Sequence, residues 1–344
     1  MNTGNIHTRL PAFLATLVII LLLGGQALAV DDGPRAYWKA REGTNGISVQ
    51  YLNLDLQTSD SEQFAPGSYI YANSDIEASI FLVNYVRYMT LFNRPSSLSL
   101  ALAGGEIDVD VDANIVASQF LPPGILPSSS FTQSSSGFAD PSTQLVVNLY
   151  GTPPLKANFD LIDYEPTWNF DVAVMLGVPI GEYDDDKLVN LGLNRWFGRI
   201  AFPVTYNFGV FTPGYMMSLE LIPSVWFFAD NDDFMGQELK NDPMWQIEAH
   251  LTKDFTPSFF GSLDLLYRGG SQAKIDGVEV GDELDIGDLG LTLGYQVTDN
   301  LAIRTSFSSN LFGDSDVDNS MLRLQFVYSW HKDMENIKKL QQGH

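Results

Sequence analysis

Residues 244–268 read MWQIEAHLTKDFTPSFFGSLDLLYR, and this stretch decides the fold class. Trp245, Ile247, Ala249 and Leu251 alternate with Gln246, Glu248, His250 and Thr252. Asp254-Phe255-Thr256-Pro257 then supplies a turn. Beyond it Phe259, Gly261, Leu263, Leu265 and Tyr267 alternate with Phe260, Ser262, Asp264, Leu266 and Arg268. A period of two sends successive side chains to opposite faces of a strand. Each run reaches the roughly 9–11 residues that a tilted strand needs to cross a bilayer. One face suits lipid and the other a polar interior.

The same pattern recurs along the chain. Strand-like segments fall at 47–58, 75–92, 97–109, 142–150, 167–179, 198–208, 215–228, 244–254, 258–268, 286–297, 301–311 and 320–331. That even number suits a closed antiparallel transmembrane β-barrel of about 12 strands with both ends on one side, an all-β fold. In the first segment Val49 and Tyr51 keep one phase while Leu52, Leu54 and Leu56 keep the other, which predicts a bulge. If the first strand runs outward, external connections lie at 59–74, 110–141, 180–197, 229–243, 269–285 and 312–319. Periplasmic ones lie at 93–96, 151–166, 209–214, 255–257 and 298–300. Outer-membrane barrels have this rhythm of long external loops and short periplasmic turns, with 151–166 the exception here. Segment 110–141, rich in Ser, Pro and Gly, predicts a lid or an inward-folding constriction.

The N-terminus supplies an address. His7 and Arg9 precede an apolar run from Ala12 to Leu23, and Ala27-Leu28-Ala29 offers small residues to signal peptidase. Residues 1–29 read as a secretory signal peptide cleaved before Val30. The other reading is an uncleaved anchor, since Leu10 to Val30 carries no charge. Residues 30–46 would be a periplasmic or lumenal lead, 47–331 the barrel and 332–344 a polar periplasmic tail. The expected location is the outer membrane of a Gram-negative bacterium.

Composition narrows the function. Charged residues make up 18% of the 344, against roughly 25% in soluble domains. A net charge of −23 argues against nucleic acid, whose phosphates need clustered Lys and Arg. There is no cysteine, hence no disulfide framework and no zinc–thiolate site. Acid gathers in external segments, at Asp184-Asp185-Asp186, Asp230 to Asp233, and Asp314, Asp316 and Asp318. Solvated loops are the plain reading of such runs, with surface divalent-cation binding as the other. The runs starting at Asp108 and Asp314 are not helix-loop-helix calcium loops. Ala113 and Asn319 stand where glycine is required, and Gln119 and Gln325 where glutamate is. No metal or cofactor site is expected.

On the clean strands one face is apolar, as in Trp168, Phe170, Val172, Val174, Leu176 and Val178. Aromatics near strand ends, namely Trp168, Trp226, Trp245, Tyr267, Tyr295, Tyr328 and Trp330, are expected at the two membrane interfaces. The opposite face carries Asp171, Arg199, Glu220, Glu248, His250, Asp264, Arg268, Asp288, Arg304 and Arg323, the lumen-facing candidates. Either they pair with one another to fill the interior, or some line a solute path. In the opening hairpin Glu248 is expected opposite Ser262 or Asp264. Two neighbouring carboxylates would then need an Arg from another strand, an ion or a raised pKa. His250 beside Glu248 could form an acid–base pair, but no nucleophile accompanies it and no enzyme is expected. His331 and His344 lack metal-ligand spacing.

Three motifs carry a resemblance. Gly33-Pro34-Arg35-Ala36-Tyr37 is followed by Gly43-Thr44-Asn45, and Ser136-Gly137-Phe138-Ala139-Asp140-Pro141 precedes the fourth segment. Pro179-Ile180-Gly181-Glu182-Tyr183-Asp184 then leads to Asn190-Leu191-Gly192-Leu193-Asn194-Arg195-Trp196. Together they resemble an outer-membrane transporter family named for the meta-cleavage pathway of phenol degradation. The resemblance implies an outer-membrane channel for hydrophobic or aromatic compounds, and the sequence's lack of a nucleotide site and of an evident energy-coupling segment makes passive uptake of small solutes the expectation. The motif residues read as loop and turn formers, so no binding role transfers by position. The rival reading is a structural or surface-interaction barrel with a filled lumen. Expected partners are membrane lipid, lipopolysaccharide, a small solute and the barrel-assembly machinery. The expected state is a monomer or weak homo-oligomer.

Overall fold

The structure is a computed structural model that describes residues 31–58, 74–111, 131–156, 165–187, 189–280, 283–313 and 317–331. The expected signal peptide and periplasmic tail lie outside them, as do residues 112–130 of the longest loop.

The barrel begins with β1 (Asn45–Thr58), β2 (Ser74–Leu91) and β3 (Arg94–Val111). The next span is broken into β4 (Phe131–Phe138) and β5 (Ser142–Tyr150), and β6 (Trp168–Gly177) follows. Then come β7 (Phe197–Ala201) and β8 (Val204–Phe208), one span interrupted at Pro203, which has no N–H to give a ladder. β9 (Met217–Phe228) leads through the hairpin β10 (Asn231–Phe234) and β11 (Gln237–Asn241) to β12 (Met244–Thr256) and β13 (Phe259–Gly270). A second hairpin, β14 (Ala273–Ile275) and β15 (Val278–Val280), precedes β16 (Leu284–Gln296), β17 (Leu301–Gly313) and β18 (Val317–Trp330). Counting the broken spans once, 12 antiparallel strands close where β1 pairs β18, from Asn45↔Trp330 to Thr58↔Val317. The barrel expected from alternation is what the chain forms.

Lipid explains the outward rows. Phe81, Leu100, Val174, Leu221, Leu263, Leu291 and Phe326 are all exposed, because a bilayer has no water for polar groups to bond. The end with both barrel termini has the tight turns Phe92-Asn93 and Pro257-Ser258 and is the periplasmic one.

Four expectations are corrected. β1 has no bulge: its register with β2 and β18 is unbroken from Val49 to Leu56. The phase change arises because Leu52 and Leu56 face inward, 3% and 2% exposed, where the outer half of the interior is itself apolar. Segment 110–141 is not loop throughout, since Phe131–Phe138 pairs along β3. Trp226 is not interfacial. It points inward at 2% exposure, donating its indole N–H to Gln246 Oε1 at 3.2 Å. Finally, a two-residue turn with a shift at Asp254/Thr256 sets His250 opposite Asp264, so Glu248 faces Leu266.

Two of the external connections carry strands of their own. β10, β11, β14 and β15 form their own four-stranded sheet. Phe234, Leu239, Ala273 and Ile275 join one buried cluster with Leu191, Met244 and Leu284. Beneath it, burial lowers the Arg195 guanidinium to about 10, opposed by Tyr183 and Asp230.

Candidate functional site

The interior is occupied by the N-terminal segment. Asp31 to Ala40 are buried, although the segment reads as a polar lead. Its path is turned by Gly33-Pro34-Arg35-Ala36. Gly33 sits at φ 81 and Arg35 at φ 66, and Pro34 fixes the bond between them. A Cβ on Gly33 would lie 3.1 Å from Arg323 Nη2, so the turn also brings backbone close to the wall.

Wall charges grip this turn. Asp31 Oδ1 meets Arg323 Nη2 at 2.8 Å, and the Asp31 carbonyl accepts Arg323 Nη1 at 3.0 Å. Arg199 lies between two acids, 2.8 Å from Asp32 Oδ1 and 2.9 Å from Glu248 Oε1. The Asp32 N–H donates to the other oxygen of Glu248 at 2.7 Å, and Tyr37 OH to Asp32 Oδ2 at 2.6 Å. Glu220 accepts the Arg35 N–H at 2.9 Å and the Trp38 indole N–H at 3.2 Å. Arg35 pairs with Asp254 at 2.5 Å and stacks between Trp38 and Phe260. Lys39 reaches Asp171 at 2.7 Å, and Arg304 donates to the Pro34 carbonyl at 2.9 Å.

All ten inward candidates are therefore buried on the inner face, none above 7% exposure. Asp171, Arg199, Glu220, Glu248, Arg304 and Arg323 meet the N-terminal segment. His250, Asp264, Arg268 and Asp288 form a second group. His250 Nδ1 meets Asp264 Oδ1 at 2.8 Å, and its Nε2 is 3.5 Å from Glu248. Asp264 also accepts Ser262 at 2.6 Å and Thr292 at 2.6 Å, and Arg268 pairs with Asp288 at 2.9 Å. The neighbouring carboxylates foreseen in the opening hairpin are thus kept apart by His250 and compensated by Arg199 from β7.

Above the segment lies a cavity with about 800 Å³ of space between atoms, part of it open to solvent. One wall is apolar, from Leu54, Leu56, Ala78, Ile80, Ile107 and Met321. The other is polar, from Asp264, Arg268, Asp288 and Asn319, and Asp31 closes its floor. Two smaller hollows flank Tyr37, Trp38 and Lys39, one against β2, β3 and β5 and one against Asn169 and Asn207.

Sequence reasoning missed Asp31, Asp32, Arg35, Trp38, Lys39 and Asp254. A signal was present: the segment carries Asp31, Asp32, Arg35 and Lys39, a match in number and sign for Arg323, Arg199, Asp254 and Asp171. The other two motifs meet as well. Asp140 accepts the N–H of Gly181 at 2.7 Å and of Leu193 at 2.6 Å. Gly192 donates to the Glu182 carbonyl at 2.9 Å and Glu182 to the Phe138 carbonyl at 2.7 Å. Asp184, Asp185 and Asp186 are exposed and close enough to share an ion, though exposed acid alone does not make a site.

Of the interfacial candidates other than Trp226, Trp168, Trp245, Tyr295 and Tyr328 are exposed, and Tyr267 and Trp330 are half-buried. They meet one another, with Trp245 edge-on to Tyr267 at 4.9 Å and Tyr328 stacked on Trp330 at 6.0 Å.

Residues 59–329 match the sequence model of a family described as putative MetA-pathway of phenol degradation. No curated relative matches the chain. Among solved structures it is similar to the COG4313 outer membrane channel from Pseudomonas putida F1. Identity is 17% and the TM-score 0.65, over 88% of this chain and 100% of that one. It is also similar to the beta domain of the Bordetella autotransporter BrkA, at 8% identity and a TM-score of 0.48 over 83% and 100% of the two chains. The transport unit of the Escherichia coli autotransporter AIDA-I aligns at 11% identity and a TM-score of 0.43, over 93% and 98%.

Proposed function

The chain belongs to the family described as putative MetA-pathway of phenol degradation, and from that premise we propose that it is an outer-membrane channel for passive uptake of small hydrophobic or aromatic solutes. The observation that carries the reading is the cavity with one apolar wall, floored by Asp31 of the inserted segment. A ring the size of phenol or toluene would lie against Ile80, Ile107 and Met321, with any hydroxyl turned toward Asn319 or Ser308. Passage to the periplasm requires the segment around Asp31 and Asp32 to shift. The hollows beside Tyr37 and Trp38 mark where the path continues. Uptake is read as passive because the chain has no nucleotide-binding motif.

His250 is fully buried between Glu248 and Asp264, which favours a structural part over hydrolysis. Assembly would be guided by the outward row Leu322, Leu324, Phe326 and Tyr328 of β18, and the channel would work as a monomer or weak oligomer.

Proteoliposomes with and without the protein test the proposal, using influx of a phenol and of a sugar of similar mass. The expected result is faster phenol influx with little change for the sugar, abolished by Ile80→Asp with Met321→Asp. Equal phenol influx with and without protein would favour the filled, non-transporting barrel.

A further inference from the structure

The outward face of the β2–β3 hairpin is sorted by charge along its length. From the external end β2 presents Asp75 and Glu77, then Phe81, Val83 and Tyr85, then Arg87. Beside it β3 runs from Asp110, Asp108 and Glu106 through Leu102, Leu100 and Leu98 to Arg94, with Glu77 opposite Asp108 and Arg87 opposite Leu98. The step from Glu77 to Arg87 is about 33 Å along a strand, and about 25 Å along the membrane normal at a ~40° tilt. That is the height of a barrel's apolar band. Arg87 therefore stands at the periplasmic boundary, level with the phosphates of the inner leaflet, and Arg94 lies just beyond it.

The surroundings are those of a headgroup site. Arg87 Nη1 donates to Asn45 Oδ1 at 3.1 Å, which Tyr85 OH also reaches at 2.8 Å. The Tyr85 ring is 6.4 Å from Trp330, whose other neighbour is Tyr328. This holds the guanidinium stem in an aromatic girdle, the setting in which amphipathic rings meet headgroups. In a chain of net charge −23, neither Arg87 nor Arg94 is ion-paired among the described residues. The exposed acid nearby, Glu42, accepts the Thr90 hydroxyl at 2.8 Å instead. Two guanidinium groups without acidic partners, one at phosphate depth and the other four residues farther toward the periplasm, on a face whose other end is acidic, call for an anion from the inner leaflet.

We propose that Arg87 and Arg94, framed by Tyr85 and Trp330, bind the phosphate and headgroup of an anionic phospholipid in the inner leaflet. Arg87 forks onto the diester, as its planar geometry favours, and Arg94 takes the headgroup side. The acyl chains lie along Val83, Leu98 and Leu100. The site fixes the depth and sense of the barrel and is separate from the solute path.

Native mass spectrometry of the delipidated full-length mature protein, offered equimolar phosphatidylglycerol and phosphatidylethanolamine, tests this. Wild type should retain phosphatidylglycerol in roughly 25-fold preference, since each of the two cations near an anionic surface contributes about fivefold. The preference should weaken with added salt. Arg87→Gln with Arg94→Gln should bring the two lipids to parity, while Lys253→Gln, an outward cation elsewhere on the rim, should not. Arg94→Gln alone, in an exposed hairpin, should lower the preference severalfold even if the double variant does not fold. An unchanged preference in folded Arg87→Gln or Arg94→Gln protein would overturn the proposal. So would displacement of the lipid by millimolar inorganic phosphate, which would make this a free-anion site.

Discussion

Replacing Arg199 with Met should loosen the inserted segment without opening the barrel. The guanidinium is 1% exposed and lies 2.8 Å from Asp32 Oδ1 and 2.9 Å from Glu248 Oε1. Met conserves most of the bulk and removes the charge, leaving two buried carboxylates facing each other. Removing one partner of a buried pair costs about 3–5 kcal/mol, because the other charge is left without compensation. The lower end applies here, since Glu248 keeps Gln246 Nε2 at 2.6 Å and Asp32 keeps Tyr37 OH. That cost falls on the inserted state, because withdrawal of Asp32 separates the acids and lets water reach Glu248. About 3 kcal/mol corresponds to roughly a hundredfold rise in the withdrawn population. Trypsin reads it directly: Arg35 and Lys39 are 1% and 6% exposed and are protected while inserted. Cleavage there tracks the withdrawn population when opening and reclosing are fast. The expected outcome is about a hundredfold faster cleavage after Arg35 and Lys39, larger single-channel conductance, and unchanged heat-dependent mobility. Adding Glu248→Gln should restore part of the protection. If folded Arg199→Met protein resisted trypsin and conducted like wild type, the ion pair would not hold the segment.

Two further perturbations reach different parts of the site. Gly33→Ala places a Cβ at φ 81 and 3.1 Å from Arg323 Nη2. A left-handed conformation costs a non-glycine residue about 1–2 kcal/mol, so trypsin cleavage should rise roughly tenfold, and an unchanged rate would show that the turn adapts freely. Asp140→Ala removes the acceptor shared by the Gly181 and Leu193 N–H groups, at 2.7 and 2.6 Å. At about 1.5–3 kcal/mol for each bond to a charged group, amide exchange across residues 178–196 should accelerate at least tenfold, and exchange matching wild type would refute its stapling role.

Legibility differed between the two faces of the wall for a physical reason. The outward face answers to one uniform solvent, so its requirement repeats every second residue and can be read from Leu289, Leu291 and Leu293 alone. Strand number and closure followed from that. The inward face answers to whatever part of the chain reaches it. Trp226 looked interfacial because it stands near a strand end, yet Gln246 and Phe197 receive it inside. Leu52 and Leu56 looked like a register fault because an apolar inner wall was not foreseen. The opening hairpin's register turned on a single shift at Asp254/Thr256, which alternation does not encode.

The inner charges divide by what they meet, and the division has a functional sense. Mutual pairing along the wall accounts for His250 with Asp264 and Arg268 with Asp288. The other six, Asp171, Arg199, Glu220, Glu248, Arg304 and Arg323, each touch the segment 31–39 through a side chain or a backbone group. A wall that only needed filling could do so with apolar residues, as the outer half does with Ile80, Ile107 and Met321, and ionic filling is no more stable than a packed apolar one. Ion pairs differ in being reversible: separated in water, both partners are solvated, whereas an apolar plug drawn out would expose hydrophobic surface. On the proposed channel function, an apolar cavity that holds the solute and an ionic clasp beneath it that releases the segment would be complementary choices. The opening hairpin carries both, with Glu248 on the clasp and Asp264 and Arg268 on the cavity wall.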